Sequence, residues 1–314
     1  MSDLEELEGV GPSIAKRLRS AGVRDLRDLA VTPPVELSER VRGLSRETLE
    51  KLASRARVHL GLRALTAKEL FEKEKKTSLL TTGCSTLDEL FMGGLEPGIT
   101  ELVGPYGSGK TQICLQLCIT VQLPEEKGGL SGKAFYIDTE GTFSAARVAE
   151  IAERFGMNVE KALESIYVQR AFTSSHQMEA VNLAGKFVEE NGVKLLVVDS
   201  LTAHFRSEFA GREYLAERQF LLNRHIHQLL RLVNKYNLVV VVTNQVLAVP
   251  DAYYGGSPNR PVGGNVVAHG CTFRVWLERK KDLYKATMID SPKHPKESVY
   301  FRIDKGGVYE AEED

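Results

Sequence analysis

Short apolar runs alternate with longer stretches of helical periodicity along residues 83 to 243. The runs are rich in β-branched residues, and the stretches between them repeat apolar positions every three or four residues. The runs cover residues 99–103, 134–137, 166–169, 195–198 and 238–243, and the helical stretches cover residues 110–122, 144–155, 175–190 and 212–236. This alternation predicts an α/β fold with a doubly wound, mostly parallel twisted sheet.

The regions on either side have a different texture. Residues 272–278, 285–289 and 298–303 predict antiparallel strands that extend the sheet. Residues 1–60 carry short apolar-periodic segments broken by glycine and proline, which predicts a small all-α module. The charged segment 61–82 predicts a linker, so residues 83–314 form the core. No internal repeat is evident.

Composition limits the classes of partner. The chain has 314 residues, 42% of them hydrophobic, and its 41 basic and 42 acidic residues give a net charge of -1. No global positive field attracts nucleic acid, so any such contact is local. No leader pattern or long apolar run occurs, which predicts a soluble protein of a reducing compartment without membrane contact. Cys114 and Cys118 are four residues apart and predict buried thiols, with a metal pair as the alternative.

A phosphate-binding pattern follows the first apolar run. Residues 104–111 fit G-x-x-x-x-G-K-[ST] between a predicted strand and a predicted helix. Glycines let successive N–H groups face phosphate oxygens, and the helix N-terminus adds its positive end. The pattern predicts ATP, with Mg²⁺ on the Thr111 hydroxyl and with Lys110 on the β- and γ-phosphates. The predicted nucleotide-binding residues are Gly104, Pro105, Tyr106, Gly107, Ser108, Gly109, Lys110, Thr111 and Gln112.

Polar residues follow three other predicted strands. Asp199 comes after four apolar residues and is the predicted metal-side acid, with a helix-capping role as the alternative. Glu140, just past another strand, is predicted to orient the water that attacks the γ-phosphate. Asp138, two residues earlier, is predicted to be structural. Gln245 follows the fifth strand and is either a sensor of the γ-phosphate or part of a turn.

Two loops could hold DNA. The first carries Arg206, Arg212 and Arg218 after the Asp199 strand. The second, residues 249–265, is long and rich in glycine and proline; its predicted DNA-binding residues are Tyr253, Arg260, Gly263, Gly264 and Asn265. Arginine forks and glycine amides can follow a phosphate backbone without reading its sequence. The alternatives are a lid over the nucleotide and simple disorder.

The N-terminal module carries a second candidate for phosphate contact. Gly9 and Gly11 are predicted to form a hairpin between two helical segments, followed by a basic helix face. Glycine amides there can bind DNA phosphate, although the charges of the module nearly cancel. A small protein-interaction module remains the alternative.

Taken together, these motifs resemble RadA-type recombinases, the archaeal and eukaryotic branch of the RecA family, over almost the full length. The resemblance is carried by residues 122–143, 195–219, 241–246 and 261–270. It implies a RecA-like P-loop ATPase core preceded by a helix-hairpin-helix domain. It also implies a DNA-dependent ATPase that assembles on single-stranded DNA and promotes strand exchange in recombinational repair.

The resemblance also implies individual roles. Glu140, Lys110 and Gln245 match the catalytic set, with Gln245 as the γ-phosphate sensor. Arg147 matches an arginine near the adenine, His269 a histidine that approaches the nucleotide of the adjacent subunit, and Asp290 and Pro292 a cap over that nucleotide. Arg206, Arg212 and Arg218 match the first DNA-binding loop, and residues 247–264 the second.

The implied partners are single- and double-stranded DNA, further copies in a helical filament or ring, recombination mediators and single-strand-binding protein. The implied location is the cytoplasm, on the nucleoid if the source is archaeal. A hexameric helicase or clock-type ATPase and a non-catalytic mediator are the alternative functions.

One segment departs from the family pattern. An aromatic-x-x-Ala motif usually joins neighbouring protomers, whereas the corresponding residues here are Ala64, Leu65, Thr66 and Ala67. Loss of a buried phenylalanine costs about 3–5 kcal/mol. Assembly is therefore weakened, shifted to Leu62 or Leu65, or carried by the ATP interface, and we expect the last.

Overall fold

The computed structural model describes residues 3–62, 64–248 and 259–311. The chain divides into two compact units, Met1–Thr77 and Ser78–Asp314. Within the described ranges, no helix is both long enough and apolar enough to cross a membrane.

The first unit is entirely helical where it is described. A single 3-10 turn, Leu4–Glu6, lies where a helical segment was predicted before Gly9. Side chains start several helices: Asp25 accepts from the Asp28 N–H, and Ser45 accepts from the Thr48 N–H. The helices are α1 (Pro12–Ser20), α2 (Leu26–Val31), α3 (Pro34–Arg40), α4 (Arg46–His59) and α5 (Ala67–Glu74).

The core of this unit is a cluster of buried leucines and valines that includes Leu18, Leu26 and Leu49. In contrast, α5 buries none of its residues, and a capping box between Thr66 and Glu69 closes its N-terminus. Leu65, next to this cap, is about half exposed.

The second unit alternates strands and helices as the apolar pattern predicts. Its elements are α6 (Ser85–Leu90), β1 (Gly98–Val103), α7 (Lys110–Thr120), β2 (Lys133–Asp138), α8 (Ala145–Arg154), α9 (Val159–Glu164), β3 (Ile166–Arg170), α10 (Ser174–Asn191), β4 (Val193–Asp199), α11 (Ala203–Glu208), α12 (Leu215–Tyr236), β5 (Val239–Asn244), β6 (Val246–Ala248), β7 (Asn259–Pro261), α13 (Gly264–Gly270), β8 (Phe273–Lys280), β9 (Leu283–Asp290), β10 (Ser298–Asp304) and β11 (Gly307–Ala311).

Nine of these strands form one sheet in the order β11-β10-β9-β8-β1-β5-β4-β2-β3. Strands β8, β1, β5, β4, β2 and β3 are mutually parallel. The prediction that the last strands are all antiparallel is thus wrong for β8, which pairs with β1 in parallel and turns antiparallel only toward β9. A separate ribbon, β6 with β7, flanks residues 249–258.

Each face of the sheet packs an apolar layer. Leu117 of α7 and Ile151 of α8 belong to the layer on one face, and Val181 of α10 and Leu229 of α12 belong to the layer on the other. The central strands β1 and β5 are buried along their whole length, as expected for a sheet covered on both faces.

Candidate functional site

The carboxyl ends of four neighbouring strands bring the predicted catalytic residues to one edge of the sheet. Val103, the last residue of β1, pairs with Asn244 of β5, and Asp138 of β2 pairs with Asp199 of β4. The loops that leave these strands carry Lys110, Gln245 and Glu140. In open α/β sheets this edge is where ligands bind.

The loop between β1 and α7 has the geometry of a phosphate cradle. Gly107 and Gly109 have φ of +72° and +91°, which only glycine adopts without strain. Gly109 is the N-cap of α7 and has no side chain to bond the first amides of the helix, which leaves them to a ligand. A Cβ on Gly104 would lie 2.1 Å from the Leu277 carbonyl oxygen, whereas one on Gly107 would meet open space. These residues fit a bound phosphate chain.

Lys110 folds back over this loop. Its Nζ donates to the carbonyls of Gly104 at 2.9 Å and Pro105 at 2.8 Å, and to Ser108 Oγ at 3.3 Å. Burial lowers the pKa of Lys110 below its ordinary value, while the negative charges of Asp199 and Glu140 oppose that shift. Phosphate oxygens would bind this ammonium more strongly than neutral carbonyls do, because charge-assisted hydrogen bonds are the stronger kind.

Asp199 is the centre of a buried hydroxyl cluster beside the loop. Its Oδ2 accepts from Thr111 Oγ1 at 2.8 Å and from the Tyr136 hydroxyl at 2.6 Å, and its Oδ1 accepts from Thr243. Burial, together with the charge of Asp199, raises the pKa of Tyr136 well above its ordinary value. A carboxylate and a hydroxyl in contact are hard oxygen ligands that suit Mg²⁺. Thr111 and Asp199 would hold that ion.

Glu140 and Gln245 lie in direct contact. The Gln245 amide donates to Glu140 Oε1 at 2.8 Å. Asp138 shapes the turn that carries Glu140, because its Oδ1 accepts from the Gly141 N–H at 2.7 Å and from Arg170 at 3.0 Å. The structural role predicted for Asp138 fits these bonds.

Arg147 lies beside the start of α7. Its Nε donates to Gln112 Oε1 at 2.7 Å, and its guanidinium pairs with Glu150 at 2.9 Å. The same guanidinium bonds the carbonyls of Asp304 and Lys305. Gln112 and Arg147 therefore form one contact behind the phosphate loop.

His269, Asp290 and Pro292 lie outside that cluster. In the sheet, Asp290 of β9 lies opposite Arg274 of β8, and Arg274 lies opposite Glu101 of β1. Glu101 is in the middle of β1 rather than at its carboxyl end. The segment after α13 reaches the amino end of β1, where the Thr272 N–H donates to the Ile99 carbonyl at 2.8 Å. His269 lines a cavity of about 420 Å³ between α12 and α13. Asp290 therefore lies away from the carboxyl-end edge that carries the phosphate loop, and the predicted action of these residues on a neighbouring copy stays a prediction.

The two candidate DNA loops meet at a cavity of about 210 Å³. Arg206 of α11 and Arg218 of α12 line it together with Gly263 and Gly264 of the second loop. Arg218 also donates to the Phe209 carbonyl at 3.2 Å. Three further predicted residues, Arg212, Arg260 and Asn265, are exposed and do not line this cavity. Tyr253 falls outside the described residues.

The first unit contains two similar hairpins. Gly9 and Gly43 have φ of +93° and +79°, and each precedes a helix by a few residues. Each hairpin is bonded by an arginine from the other half: Arg55 donates to the Glu8 carbonyl at 2.9 Å, and Arg17 donates to the Gly43 carbonyl at 3.2 Å. The prediction of no internal repeat missed this pair.

Other details of this unit depart from the predicted basic face. Gly11 caps α1 with an ordinary φ of −82°. Arg19 is paired with Asp3 at 2.5 Å and with Glu5 at 3.2 Å, so its charge is offset. A glycine followed by an aliphatic residue, at 9–10 and at 43–44, three residues before each helix begins, was the available sequence signal.

A phosphate loop after β1, an acid at the end of β4 and a mostly parallel nine-stranded sheet define a P-loop nucleotide-binding protein with a RecA-like core. The Rad51 family model matches residues 73–311, and a model described as a SAM-like helix-hairpin-helix tandem matches residues 1–57. The chain belongs to the Rad51 family. The resemblance and the fold class predicted from the sequence are confirmed.

Two curated relatives extend this comparison. A DNA repair and recombination protein RadA of Cenarchaeum symbiosum is 44% identical over 99% of this chain and 80% of its own length. Another protein of that name, from Aeropyrum pernix, is 44% identical over 99% of this chain and 98% of its own length. The similarity thus spans both units.

Proposed function

We propose that this chain is an ATP-dependent DNA recombinase, a DNA-dependent ATPase that assembles on single-stranded DNA and promotes homologous pairing and strand exchange. ATP acts here as a conformational ligand, and the exchange of strands involves no covalent chemistry on DNA. The family assignment and the names of the two relatives support this function.

Each residue of the nucleotide site has its own role. The amides of residues 107–111 and the Lys110 ammonium bind the phosphates, while Thr111 and Asp199 hold Mg²⁺. The ion would neutralise charge on the phosphate oxygens. Glu140 orients the attacking water and accepts its proton, and Gln245 contacts both Glu140 and the place of the terminal phosphate.

The observation that carries the proposal is that Gln245 bonds both Glu140 and the end of the second loop. Its side chain bonds Glu140 at 2.8 Å, and its backbone carbonyl accepts from the Val262 N–H at 3.0 Å at the far end of the second loop. A change at the terminal phosphate is thereby transmitted to the residues proposed to hold DNA. Arg206 and Arg218 line the nearby cavity together with Gly263 and Gly264, which supports one DNA-binding surface formed by both loops.

The match of His269, Asp290 and Pro292 to family residues that act on the nucleotide of an adjacent copy supports assembly. These three residues complete the nucleotide site of an adjacent copy, so ATP lies at a subunit interface. Because Ala64, Leu65 and Ala67 offer no aromatic anchor, this interface carries assembly into a filament or ring. Recombination mediators and single-strand-binding protein are further proposed partners, on DNA in the cytoplasm.

A D-loop assay tests this function. The wild-type chain with ATP, Mg²⁺, a labelled single strand and a homologous duplex should form joint molecules, and Lys110→Ala should form none. Unwinding without joint molecules would point to a helicase. ATP hydrolysis unaffected by DNA, with no joint molecules, would overturn the proposal.

A further inference from the structure

The side chain of Asn244 is a buried junction of three hydrogen bonds. Asn244 is the last residue of β5 and is fully buried. Its Oδ1 accepts from Thr202 Oγ1 at 2.8 Å. Its Nδ2 donates to Glu101 Oε1 at 2.6 Å and to the Val262 carbonyl at 2.8 Å. Both N–H groups of the amide are thus used.

Two of these partners belong to the roots of the DNA loops. Thr202 is the N-cap residue of α11, the helix that carries Arg206 of the first loop. Val262 directly precedes the glycines of the second loop, and its N–H donates to the Gln245 carbonyl at 3.0 Å. Val262 is therefore held at both its N–H and its carbonyl by residues 244 and 245.

The third partner fixes which way the amide faces. Glu101 is fully buried, and its Oε2 accepts from Arg274 Nε at 2.5 Å. A carboxylate only accepts hydrogen bonds, so the amide nitrogen of Asn244 must face it and the amide oxygen must face Thr202. A buried carboxylate is stable only when it is paired, and Arg274 supplies that partner.

We propose that Asn244, oriented by the Glu101–Arg274 ion pair, is a positioning residue that couples the terminal-phosphate side of the site to both DNA loops. The proposal rests on the proposed function. Gln245 follows Asn244 directly, so a shift of Gln245 relative to Glu140 displaces the Asn244 junction. The displacement reaches Thr202 and Val262 through bonds of 2.8 Å.

The first test is Asn244→Asp, measured as the ratio of ATP hydrolysis with and without single-stranded DNA. An aspartate cannot donate to Val262 and places a second carboxylate against Glu101. We expect the DNA-stimulated part of the rate to fall about tenfold or more, the size of one lost buried hydrogen bond. Affinity for a fluorescent ATP analogue should change less than about threefold. The Asn244 side chain bonds Thr202, Glu101 and Val262, and the backbone carbonyl that accepts from the Gly104 N–H of the phosphate loop at 3.3 Å is kept in the variant. Unchanged stimulation overturns the proposal.

A double variant separates coupling from folding. In Glu101→Gln with Asn244→Asp, the introduced glutamine donates to the introduced aspartate and still accepts from Arg274. The pair 101 and 244 again carries one buried carboxylate and one amide joined by a hydrogen bond, but the Val262 carbonyl still lacks its donor. We expect the urea midpoint, followed by Trp276 fluorescence, to return close to wild type while DNA stimulation stays lost. Recovery of both together would show a merely structural role and overturn the proposal.

Thr100→Val is the matched control. Thr100 neighbours Glu101 on β1, is fully buried, and its hydroxyl has no hydrogen-bond partner among the described residues. Thr100→Val should keep the DNA stimulation of the wild type. Loss of DNA stimulation in Thr100→Val would show that any change beside Glu101 has this effect, and it would overturn the specific role of Asn244. If the wild-type chain itself hydrolyses ATP without any response to DNA, the proposed function fails first, and that outcome is visible before any variant is compared.

Discussion

The Gln245 amide donates a 2.8 Å hydrogen bond to Glu140, although 105 residues separate the two in the chain. They meet because β5 and β2 end at the same edge of the sheet with only β4 between them. One residue is proposed to activate water and the other to sense the phosphate, so their contact joins hydrolysis to the DNA loop that follows β5.

Removal of the Glu140 carboxylate should stop hydrolysis while leaving binding intact. In Glu140→Gln the side chain keeps its size and can still bond Gln245, but it cannot take a proton. We expect the rate of DNA-stimulated ATP hydrolysis to fall by about 10²-fold or more. Phosphate release measures the rate, and an ATP-analogue titration measures binding.

The control is Glu153→Gln, an exposed position on α8. It should retain wild-type hydrolysis. A Glu140→Gln variant that hydrolyses ATP within about threefold of the wild type would remove this residue from the catalytic role.

Asp199→Asn should raise the Mg²⁺ requirement. The substitution removes the charge and leaves one oxygen for three hydroxyl donors, those of Thr111, Tyr136 and Thr243. We expect the Mg²⁺ concentration for half-maximal ATP binding to rise about tenfold or more. Titration of ATP-analogue fluorescence with Mg²⁺ measures it.

Tyr136→Phe separates the metal role from loss of the cluster. It removes one donor to Asp199 and keeps the carboxylate, so stability should fall by about 1–3 kcal/mol with little change in the Mg²⁺ requirement. Equal Mg²⁺ requirements in Asp199→Asn and the wild type would contradict the assignment.

The core should lose stability in mild acid through His225. This residue is fully buried against Phe205 and contacts Gln177 at 3.0 Å. Burial lowers the pKa of His225 to about 4 from 6.5. Between these pH values the unfolded chain therefore binds a proton at His225 more readily than the folded chain does. The contribution of His225 to the free energy of unfolding falls as the pH drops from about 6.5 to 4. Lowering the pH from 7.5 to 5 should remove about 2 kcal/mol.

Urea unfolding followed by Trp276 fluorescence measures this loss. His225→Phe keeps an aromatic ring beside Phe205. Between pH 7.5 and 5 its free energy of unfolding should fall by about 2 kcal/mol less than that of the wild type. Identical slopes for the variant and the wild type would show that other groups account for the acid sensitivity.

Assembly should depend on ATP, because the linker at Ala64 lacks an aromatic anchor. Sedimentation velocity with Mg-ATP and single-stranded DNA should show large assemblies, which dissociate with ADP. His269→Ala should weaken them, whereas His227→Ala, an exposed change in the same cavity, should not. A monomer under all conditions would contradict assembly through the ATP interface.

Local patterns predicted most of the core. The strands β1 to β5 are apolar runs long enough to read directly, and the phosphate loop, Asp199 and Glu140 follow them at short spacing. The parallel pairing of β8 escaped prediction because the alternation of apolar positions along a strand is the same in either direction. The second hairpin at Gly43 escaped because α2 and α3, of six and seven residues, are too short for a clear helical period.

Residues inside apolar runs were hardest to assign. Tyr136 and Thr243 contact Asp199, but a tyrosine or threonine within a strand pattern is typical of packing. The partners of Asn244 come from β1, from the start of α11 and from residue 262, which are distant in sequence. Only the folded chain brings them together.

The central claim is that the terminal phosphate controls the grip on DNA. Fluorescence anisotropy of a labelled oligonucleotide, with the protein held at one concentration, tests it under three conditions: no nucleotide, ADP, and a non-hydrolysable ATP analogue, each with Mg²⁺. The account predicts that the ATP analogue tightens DNA binding about tenfold or more over the other two, the lower range of allosteric coupling. Equal affinity in all three conditions would contradict it.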